Sequence, residues 1–502
     1  MPRGGVSSQE GIEGRLAEYR NLRRDLERVI LPLATSVDGR RFSYQASLHD
    51  LPFQAGGYVV LENGIEPRLG QVITLEAASR EGPELSVSLG DDLSAHNRMV
   101  LRFAQGEGVL LEGDGAPFHD VAARPAEPDE VVFWLERTRP RRAGLEVGEL
   151  VLAPGVPFSL DAGGFDRHTF LCGQSGSGKT YSLGLVLERL LLETDLRVVI
   201  LDPNSDFVRL GTVRRGADGG LASRYDKVAA GVAVRSVDGA APLQVAFPEL
   251  APAAQAAVLR LDPIEDREEY AVLTSALERW QPAVLAELAQ SDSPDARRLL
   301  MRAQNLGVLG WTVWSAGREG SILEDLTDQS IRCLVVDLGS LGTREEQALV
   351  AESVLARLWE RRSDRTPLLV VIDEAHNVCP SEPEDPLTAL ATEHAVRIAG
   401  EGRKFGLYLL VSTQRPQKVH ENVLSQCDNL LLMRMNSAAD LGFVGDVFSF
   451  VPQSLLERAT TFRQGESLAA GKISPHPALL RFGARISEEG GGDVPADWAE
   501  VR

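Results

Sequence analysis

The sequence predicts an α/β protein with a parallel sheet, preceded by a small β-barrel and interrupted by a helical insertion. After Asp161, short apolar runs alternate with helical segments, which is typical of parallel strands covered on both faces. From Arg40 to Leu160, short strands are separated by Gly and Asp turns, as in small barrels. Because 502 residues exceed what one hydrophobic core usually organises, two or three domains are expected.

The composition is that of an ordinary soluble protein, with 43% hydrophobic and 25% charged residues. The sequence has neither a run of eighteen apolar residues nor an apolar N-terminal signal, so we expect no membrane association. The scattered cysteines lack metal-ligand spacing, and reduced, buried thiols in a cytoplasmic protein are expected. They are Cys172, Cys333, Cys379 and Cys427.

The formal net charge of -20 argues against a surface coated with nucleic acid. It leaves room for a small basic channel, because the local field matters more than the net charge. Three arginines that follow one strand are candidates for such a channel, although a solvated charged loop explains them as well. They are Arg209, Arg214 and Arg215.

The N-terminal half is predicted to hold one helix and then the barrel strands. An amphipathic helix is expected from about Gln9 to Leu33, because apolar residues recur there at helical spacing. These residues are Leu16, Tyr19, Leu22, Leu26 and Ile30. The predicted barrel strands read "GYVVLEN", "GQVITLE", "ELSVSLG", "RMVLRF", "GVLLEG" and "EVVFWLER".

The predicted domain boundaries follow these changes of pattern. A stretch rich in Ala, Leu, Glu and Arg interrupts the α/β alternation and is expected to form helices. The segment after Arg485 is rich in Gly and acidic residues and is expected to be loosely held. The segments are 1–36 (helix), 37–160 (barrel), 161–485 (α/β domain, with the insertion at about 250–318) and 486–502 (flexible tail).

The segment "GQSGSGKT" fits the phosphate-binding loop pattern and lies between an apolar strand and a long helix, as that pattern requires. In such a loop, backbone N–H groups hold phosphate oxygens. Lys179 would contact the outer phosphates, and Thr180 would ligate Mg²⁺ through its hydroxyl. We therefore predict a site for ATP and Mg²⁺ that is formed by Gly173, Gln174, Ser175, Gly176, Ser177, Gly178, Lys179, Thr180 and Tyr181.

An acidic strand end is the expected partner of this loop. The apolar run from Leu368 to Ile372 carries Asp373 and Glu374 to the edge where open parallel sheets bind ligands. Asp373 would hold the Mg²⁺ shell, and Glu374 would polarise the attacking water.

Two further aspartates end predicted strands. Asp337, in "CLVVDLGS", lacks an adjacent Glu and ranks second to Asp373. Asp202, in "VVILDPNSDF", either faces the same cleft or forms the turn before Pro203, and its chemistry alone leaves both open.

Two arginines precede strands whose far ends would meet the nucleotide. Gln414 ends "LYLLVST" beside the γ-phosphate or the attacking water, whereas Arg403 precedes that strand. Seven strand residues span roughly 23 Å, which an Arg side chain does not cover. Arg167 precedes "HTFLC" at the same edge. Each arginine alone fits a surface charge or a helix cap, but together they favour a ring in which they contact a neighbour's nucleotide.

As a set, these motifs resemble the HerA–FtsK group of P-loop ATPases, and HerA most closely. The matching text is "DRHTFLCGQSGSGKTYS", "VVILDPNSDF", "LLVVIDEAHNV" and "GEGRKFGLYLLVSTQRP". The resemblance covers about Val37 to Arg485, and the barrel matches in texture rather than in motif. The resemblance implies a RecA-like core, a homohexameric ring and ATP-driven translocation of double-stranded DNA through the pore.

The resemblance also implies a role for each site residue. It assigns the phosphates and Mg²⁺ to Lys179 and Thr180, and the metal and water to Asp373 and Glu374. It further assigns the catalytic pocket to Asp202, γ-phosphate sensing to Gln414, a trans finger to Arg403 and a second trans contact to Arg167. One departure is Asn204, where members of the group often have His.

Three other classes of protein share some of these motifs or could use such a ring. "DEAH" also occurs in two-lobed helicases, but the residues after Ala375 do not supply a second lobe. Conjugation-type coupling ATPases share the core but are usually membrane-anchored. HerA-like proteins often work with a nuclease, so a nuclease or defence effector is an expected partner. A ring that assembles and regulates such an effector with little translocation is the alternative function.

Overall fold

The structure, a computed structural model, describes residues 7–62, 67–88, 94–112, 115–138, 142–276, 293–315 and 320–491. The chain divides into two compact units. The barrel unit comprises Met1–Arg139 and Leu150–Val156, and the sheet unit comprises Pro140–Glu149 and Pro157–Arg502.

Strands and helices are numbered in chain order. The strands are β1 Leu33–Ser36, β2 Arg41–Ala46, β3 Tyr58–Glu62, β4 Arg68–Val72, β5 Glu76–Ser88, β6 Ser94–Leu110, β7 Phe118–Pro125, β8 Gly144–Leu150, β9 Pro157–Asp161, β10 His168–Cys172, β11 Arg197–Asp202, β12 Val232–Arg235, β13 Cys333–Asp337, β14 Leu368–Ile372, β15 Leu407–Thr413, β16 Cys427–Met433, β17 Glu466–Ala470 and β18 Ala478–Phe482. The helices are α1 Ser7–Arg28, α2 Pro128–Thr138, α3 Lys179–Glu193, α4 Gly219–Ala229, α5 Pro252–Val258, α6 Arg267–Ala276, α7 Pro294–Asn305, α8 Ile322–Asp325, α9 Arg344–Glu360, α10 Pro386–Glu401, α11 Glu421–Leu424, α12 Ala438–Val447 and α13 Gln453–Glu457.

Six strands of the barrel unit close into a barrel in the order β2-β1-β7-β3-β4-β6, because β6 pairs back onto β2. The remaining strand, β5, pairs with the edge of β6 that faces away from β2. Strand β2 shows how the sequence forms this wall: Phe42, Tyr44 and Ala46 are buried, and the residues between them are exposed. The predicted barrel is confirmed.

Two segments of the barrel unit differ from the prediction. The stretch "EVVFWLER" is helical and lies within α2, not in a strand. Pro128 opens this helix and Asp129 and Glu130 occupy its first turn, while the buried Val131 and Trp134 are three residues apart. The N-terminal helix ends at Arg28 rather than near Leu33, because β1 pairs with both β2 and β7.

The sheet unit contains an eleven-stranded sheet in the order β12-β13-β11-β14-β15-β10-β16-β17-β18-β8-β9. In this order, the seven strands from β12 through β16 run parallel, and β17 is antiparallel to both of its neighbours, β16 and β18. The central strands β10, β11, β13 and β14 are buried at every position, as expected for parallel strands between helices. The predicted α/β fold with a parallel sheet is confirmed.

The hairpin β8–β9 lies in this sheet and not in the barrel, where the predicted boundary at residue 160 had placed it. The backbone explains the difference, because the Gly483 amide donates to the Val147 carbonyl at 2.8 Å. At Gly148, a Cβ atom would lie 1.9 Å from the Arg481 carbonyl oxygen, so the two chains approach too closely for any side chain there.

The predicted insertion contains the helices α5, α6 and α7. Residues 277–292 and 316–319 of that insertion lie outside the described residues. All four cysteines are buried and free, as expected. Within the described ranges, every helix is too short or too polar to cross a bilayer.

The beginning of the predicted flexible tail is firmly bound. Arg485 contacts Glu188, which lies on α3, and both side chains are fully buried. Arg485 Nε donates to Glu188 Oε1 at 2.9 Å. The Ile486 and Ser487 amides donate to the same carboxylate at 2.7 and 2.9 Å. The Gly490 amide donates to the Asp206 carbonyl at 3.0 Å. The prediction is therefore wrong for residues 486–491, and residues 492–502 lie outside the described part.

We predict that Glu188→Gln lowers the free energy of unfolding by about 3–5 kcal/mol, because it leaves the Arg485 charge buried without its counter-charge. Urea unfolding followed by circular dichroism measures this loss. Glu393→Gln is the control, since it removes the same charge from an exposed pair with Arg397 and should cost within about 1 kcal/mol. Equal losses in the two variants would contradict a special role for the buried pair.

Candidate nucleotide-binding site

The phosphate-binding loop connects β10 to α3, as the sequence predicts. Gly176 and Gly178 have φ values of +72° and +92°, in the left-handed region that side chains disfavour. The Gln174 amide donates to the Arg434 carbonyl, and the Gly465 amide donates to the Ser177 carbonyl, both at 2.9 Å. Gly178 caps α3 without a side-chain hydrogen bond, so the cap residue itself places no side chain at the anion-attracting start of that helix.

Lys179 joins this loop to the acidic strand end. Its side chain is 8% exposed, and Nζ lies 3.0 Å from Asp373 Oδ1 and 2.9 Å from Glu374 Oε1. Nζ also donates to Ser412 Oγ at 3.2 Å. Burial alone would lower the pKa of Lys179, but the two carboxylates outweigh it and the net shift is upward. The ammonium is therefore a fixed positive charge at the mouth of the loop.

Strand β14 carries Asp373 and Glu374 to the carboxyl edge of the sheet, beside the loop. Glu374 has φ +41° and ψ 52°, a left-handed conformation that costs a non-Gly residue on the order of 1–3 kcal/mol. This turn directs its carboxylate to Lys179 through Oε1 and to His376 through Oε2, which is 3.3 Å from Nδ1. Strained backbone at such a position is typical of functional sites.

Three carboxylates at this edge could hold a metal ion. Oxygen atoms of Asp202, Asp206 and Asp373 all lie within 4.8 Å of one another. Asp373 is fully buried, and within the described ranges its Oδ2 atom has no hydrogen-bond partner. Hard oxygen ligands and an unpaired buried carboxylate oxygen fit Mg²⁺, and Thr180 follows Lys179 in the first turn of α3. Asp202 therefore faces the cleft. It also forms the turn that follows its strand, so both of its predicted roles apply.

The environment of this cluster suppresses ionisation of two of its members. Burial raises the pKa of Asp202 to about 7, although its carboxylate accepts hydrogen bonds from the Phe207 and Asp206 amides. Burial and the Asp373 charge raise the pKa of Asp206 to about 6. A divalent cation would relieve this repulsion. The rival Asp337 instead accepts from Ser205 Oγ at 2.6 Å and supports the loop that carries Asp206.

Sequence reasoning missed Asp206 and His376. Asp206 was visible as the second acid of "DPNSDF", but its distance from Asp373 depends on strand order. His376 Nδ1 lies 3.0 Å from Thr413 Oγ1 as well as 3.3 Å from Glu374 Oε2. Burial lowers the pKa of His376, against the raising effect of Glu374. The histidine links the acidic strand end to β15.

Gln414 follows β15 at the same carboxyl edge. Strand β15 lies between β14 and β10, with Thr413 opposite Cys172 in register, so Gln414 is level with the start of the loop. Its backbone N–H donates to Glu374 Oε2 at 3.5 Å. The structure therefore brings Gln414 together with Lys179, Asp373 and Glu374.

Arg403 and Arg167 lie at the opposite, amino edge of the sheet. Arg403 lies in the turn Gly402–Phe405, just before β15, and Arg167 directly precedes β10. Both contact Asp428, with Arg403 Nη1 at 2.6 Å and Arg167 Nε at 3.5 Å from Asp428 Oδ2. The whole of β15 separates Arg403 from Gln414, as expected. Asp428 was not identified in the sequence, because a lone acid at a strand start carries no motif.

Similarity to known proteins agrees with these motifs. Residues 145–307 match the family model described as "Helicase HerA, central domain". The DNA double-strand break repair helicase HerA of Saccharolobus solfataricus is 24% identical over 485 residues, covering 87% of this chain and 89% of that protein. The HerA of Sulfurisphaera tokodaii is 31% identical over 178 residues, which span 34% of this chain and 35% of that protein.

Some solved structures share part of the chain course at low sequence identity. VirB4 of Thermoanaerobacter pseudethanolicus matches with a TM-score of 0.43 at 17% identity, covering 69% of this chain and 98% of that one. The bacterial conjugative coupling protein TrwBdeltaN70 matches with a TM-score of 0.45 at 15% identity, covering 73% of this chain and 94% of that one. Residues 145–307 thus match a HerA central domain, and the resemblance to the HerA–FtsK group predicted from the motifs is confirmed.

Proposed function

We propose that this protein is a ring-forming motor that hydrolyses ATP to translocate double-stranded DNA. The observation that carries the proposal is the convergence of Lys179, Asp373 and Glu374 at one edge of the sheet, with two arginines at the other. The first arrangement supports ATP hydrolysis, and the second supports action on the nucleotide of a neighbouring subunit. The similarity to HerA helicases supports DNA as the substrate on which the motor acts.

Nucleotide binding would begin with an exchange of partners at Lys179. The loop amides from Gly173 to Thr180 receive the phosphates, and Lys179 turns from the carboxylates to the outer phosphate oxygens. Thr180 and Asp373 would hold Mg²⁺, with Asp202 and Asp206 close by. Bound Mg²⁺ supplies neutralisation of the charge that develops on the phosphate oxygens. The exchange also frees the Glu374 carboxylate.

Hydrolysis then depends on Glu374 and Gln414. Glu374 accepts a hydrogen bond from the attacking water and polarises it, acting as the general base. His376 keeps the carboxylate oriented through Oε2. Gln414 lies one residue beyond β15 and is placed to respond to the γ-phosphate. Because β15 connects Gln414 to Arg403, loss of that phosphate has a rigid route to the subunit boundary.

The arginines act in trans in this scheme. Arg403 and Arg167 would stabilise charge on the phosphoryl group held by the next subunit, Arg403 as the finger and Arg167 as a second contact. Head-to-tail contacts of this kind close into rings, and the resemblance to HerA supports a homohexamer. A ring also reconciles the net charge of -20 with DNA binding, because a basic pore occupies little surface. A nuclease or another effector is the proposed protein partner.

We expect Lys179→Ala to abolish nucleotide binding, whereas Glu374→Gln keeps binding and loses hydrolysis. The reason is that Lys179 holds phosphates and Glu374 acts on water. A fluorescent ATP analogue measures binding, and phosphate release measures turnover. Lys418→Ala is the control, because it removes an exposed lysine from the same edge. Turnover near wild type in Glu374→Gln would remove Glu374 from the role of base.

Arg403→Ala should leave ATP binding intact and reduce hydrolysis by a factor on the order of 10³, the scale of an arginine finger. Mixing it with Lys179→Ala subunits should restore part of the activity, since some interfaces then combine an intact pocket with an intact finger. Lys404→Ala, which removes an exposed charge from the same turn, should be active alone. A mixture that stays inactive although mixed rings form would show that Arg403 does not act in trans.

Duplex DNA should stimulate ATP hydrolysis, and both stimulation and DNA binding should weaken steeply with salt, because phosphate contacts release counterions. Steady-state turnover with and without a blunt duplex, from low to physiological salt, tests this. Particle mass with ATP, with and without the duplex, reports whether the ring carries the binding. Unstimulated hydrolysis together with tight effector binding would favour the scaffold instead of the motor.

A further inference from the structure

Asp428 is the shared partner of the two arginines at the amino edge of the sheet. It lies at the start of β16, which pairs with β10, and β10 in turn pairs with β15. The residues that begin or precede three adjacent strands therefore meet at one point: Arg403 before β15, Arg167 before β10 and Asp428 on β16. Both guanidinium groups contact the same oxygen atom, Oδ2.

The backbone beneath Asp428 is rigid. The next residue, Asn429, is fully buried, and its Nδ2 donates to the Gly164 carbonyl at 2.9 Å and to Thr169 Oγ1 at 3.0 Å. The Arg167 amide donates to the same Gly164 carbonyl at 3.2 Å. At Gly471, a Cβ atom would lie 2.1 Å from the Asp428 carbonyl oxygen, so the backbone at Gly471 packs directly against the backbone of Asp428. Asp428, through its neighbour Asn429, and Arg167 are thus both fixed by hydrogen bonds to the Gly164 carbonyl.

The charges at this edge favour a carboxylate between the two arginines. Arg403 and Arg167 repel one another, and Asp428 lies between them. Asp166 reaches Arg167 Nη1 at 3.6 Å, but its contacts do not include Arg403. His168, directly below, adds no charge: its Nδ1 accepts from the Leu409 amide at 2.9 Å, and burial, followed by the Arg403 charge, lowers its pKa to about 4. Asp428 is therefore the carboxylate that serves both arginines within the described residues.

We propose that Asp428 is a positioning residue that presents Arg403 and Arg167 as a pair to the nucleotide of the neighbouring subunit. This inference rests on the proposed trans action of the arginines. The side chains are 37%, 39% and 44% exposed for Arg403, Arg167 and Asp428, and exposed ion pairs contribute little to folding. The contribution of Asp428 therefore lies in geometry, where a displacement of about 1 Å is enough to cost 10²-fold in rate.

The first test is the kinetics of Asp428→Asn, which keeps the shape of the side chain and removes its charge. We expect kcat for ATP to fall by about 10- to 100-fold, with an unchanged KM and an unchanged urea midpoint. Asp166→Asn is the matched control, because it removes the same charge from the same edge without touching Arg403, and it should stay near wild type. An unchanged or increased kcat in Asp428→Asn would overturn the proposal, as would an equal loss in Asp166→Asn.

Mixed rings give the second test, with a readout that a merely structural residue would not change. Asp428→Asn subunits have an intact pocket, so they should regain activity with Lys179→Ala subunits and regain none with Arg403→Ala subunits. In an Arg403→Ala, Arg167→Ala background, adding Asp428→Asn should cause no further loss. Failure of Asp428→Asn to be rescued by Lys179→Ala would overturn the positioning role.

The two proposals fail in different ways. If Arg403→Ala is rescued by Lys179→Ala while Asp428→Asn is fully active, the trans finger stands and the role of Asp428 is refuted. If Arg403→Ala is not rescued in rings that demonstrably mix, the trans action of the arginines in the proposed function fails, and the role of Asp428 fails with it, whatever Asp428→Asn does.

Discussion

The direction of the central strands is the constraint on which this molecule depends. Because β14, β15 and β10 run parallel, every residue that follows a strand lies at one edge and every residue that precedes a strand lies at the other. Lys179, Glu374 and Gln414 are thereby collected at the carboxyl edge. Arg403 is held a strand length away on the same polypeptide. In the proposed function, two copies of the chain together complete the set of charges around one phosphoryl group.

Charge burial in α3 follows a related logic. The helix begins with Lys179, whose ammonium is compensated by two carboxylates, and Glu188 two to three turns later is compensated by Arg485 and two backbone amides. Buried charges are tolerated when they are paired and hydrogen-bonded. In the proposed function the first cluster is exchangeable, since phosphate oxygens would compete with the two carboxylates for Lys179. The second cluster, around Glu188, consists of protein groups alone. It therefore holds α3 in place when the partners of Lys179 change.

The sequence predicted the parts of the structure that depend on local pattern. The loop from Gly173 to Thr180, the acid pair and the edge of each arginine follow from strand direction and motif spacing alone. The position of β8–β9, the helical state of α2 and the contacts of Asp206 and Asp428 did not follow. The position of β8–β9 and the contacts of Asp206 and Asp428 depend on tertiary contacts, such as the close approach at Gly148, or on strand order, which brings together residues far apart in sequence. The helix α2 carries local signals, Pro128 and two acids in its first turn, but the apolar run of "EVVFWLER" also fits a strand.

The binding of Arg485 to α3 has a consequence for biosynthesis. Gly184 leaves the space that the Arg485 guanidinium fills, since a Cβ atom there would lie 2.3 Å from it, and Arg485 also reaches Tyr181, next to the phosphate-binding loop. A nascent chain that has emerged only as far as β18 has every strand of the sheet, yet α3 still carries an uncompensated carboxylate and an open slot. Full packing of α3 therefore waits for residues 485–487, which are made after every strand of the sheet, so a chain that lacks them has the strands but not the compensated charge of this helix.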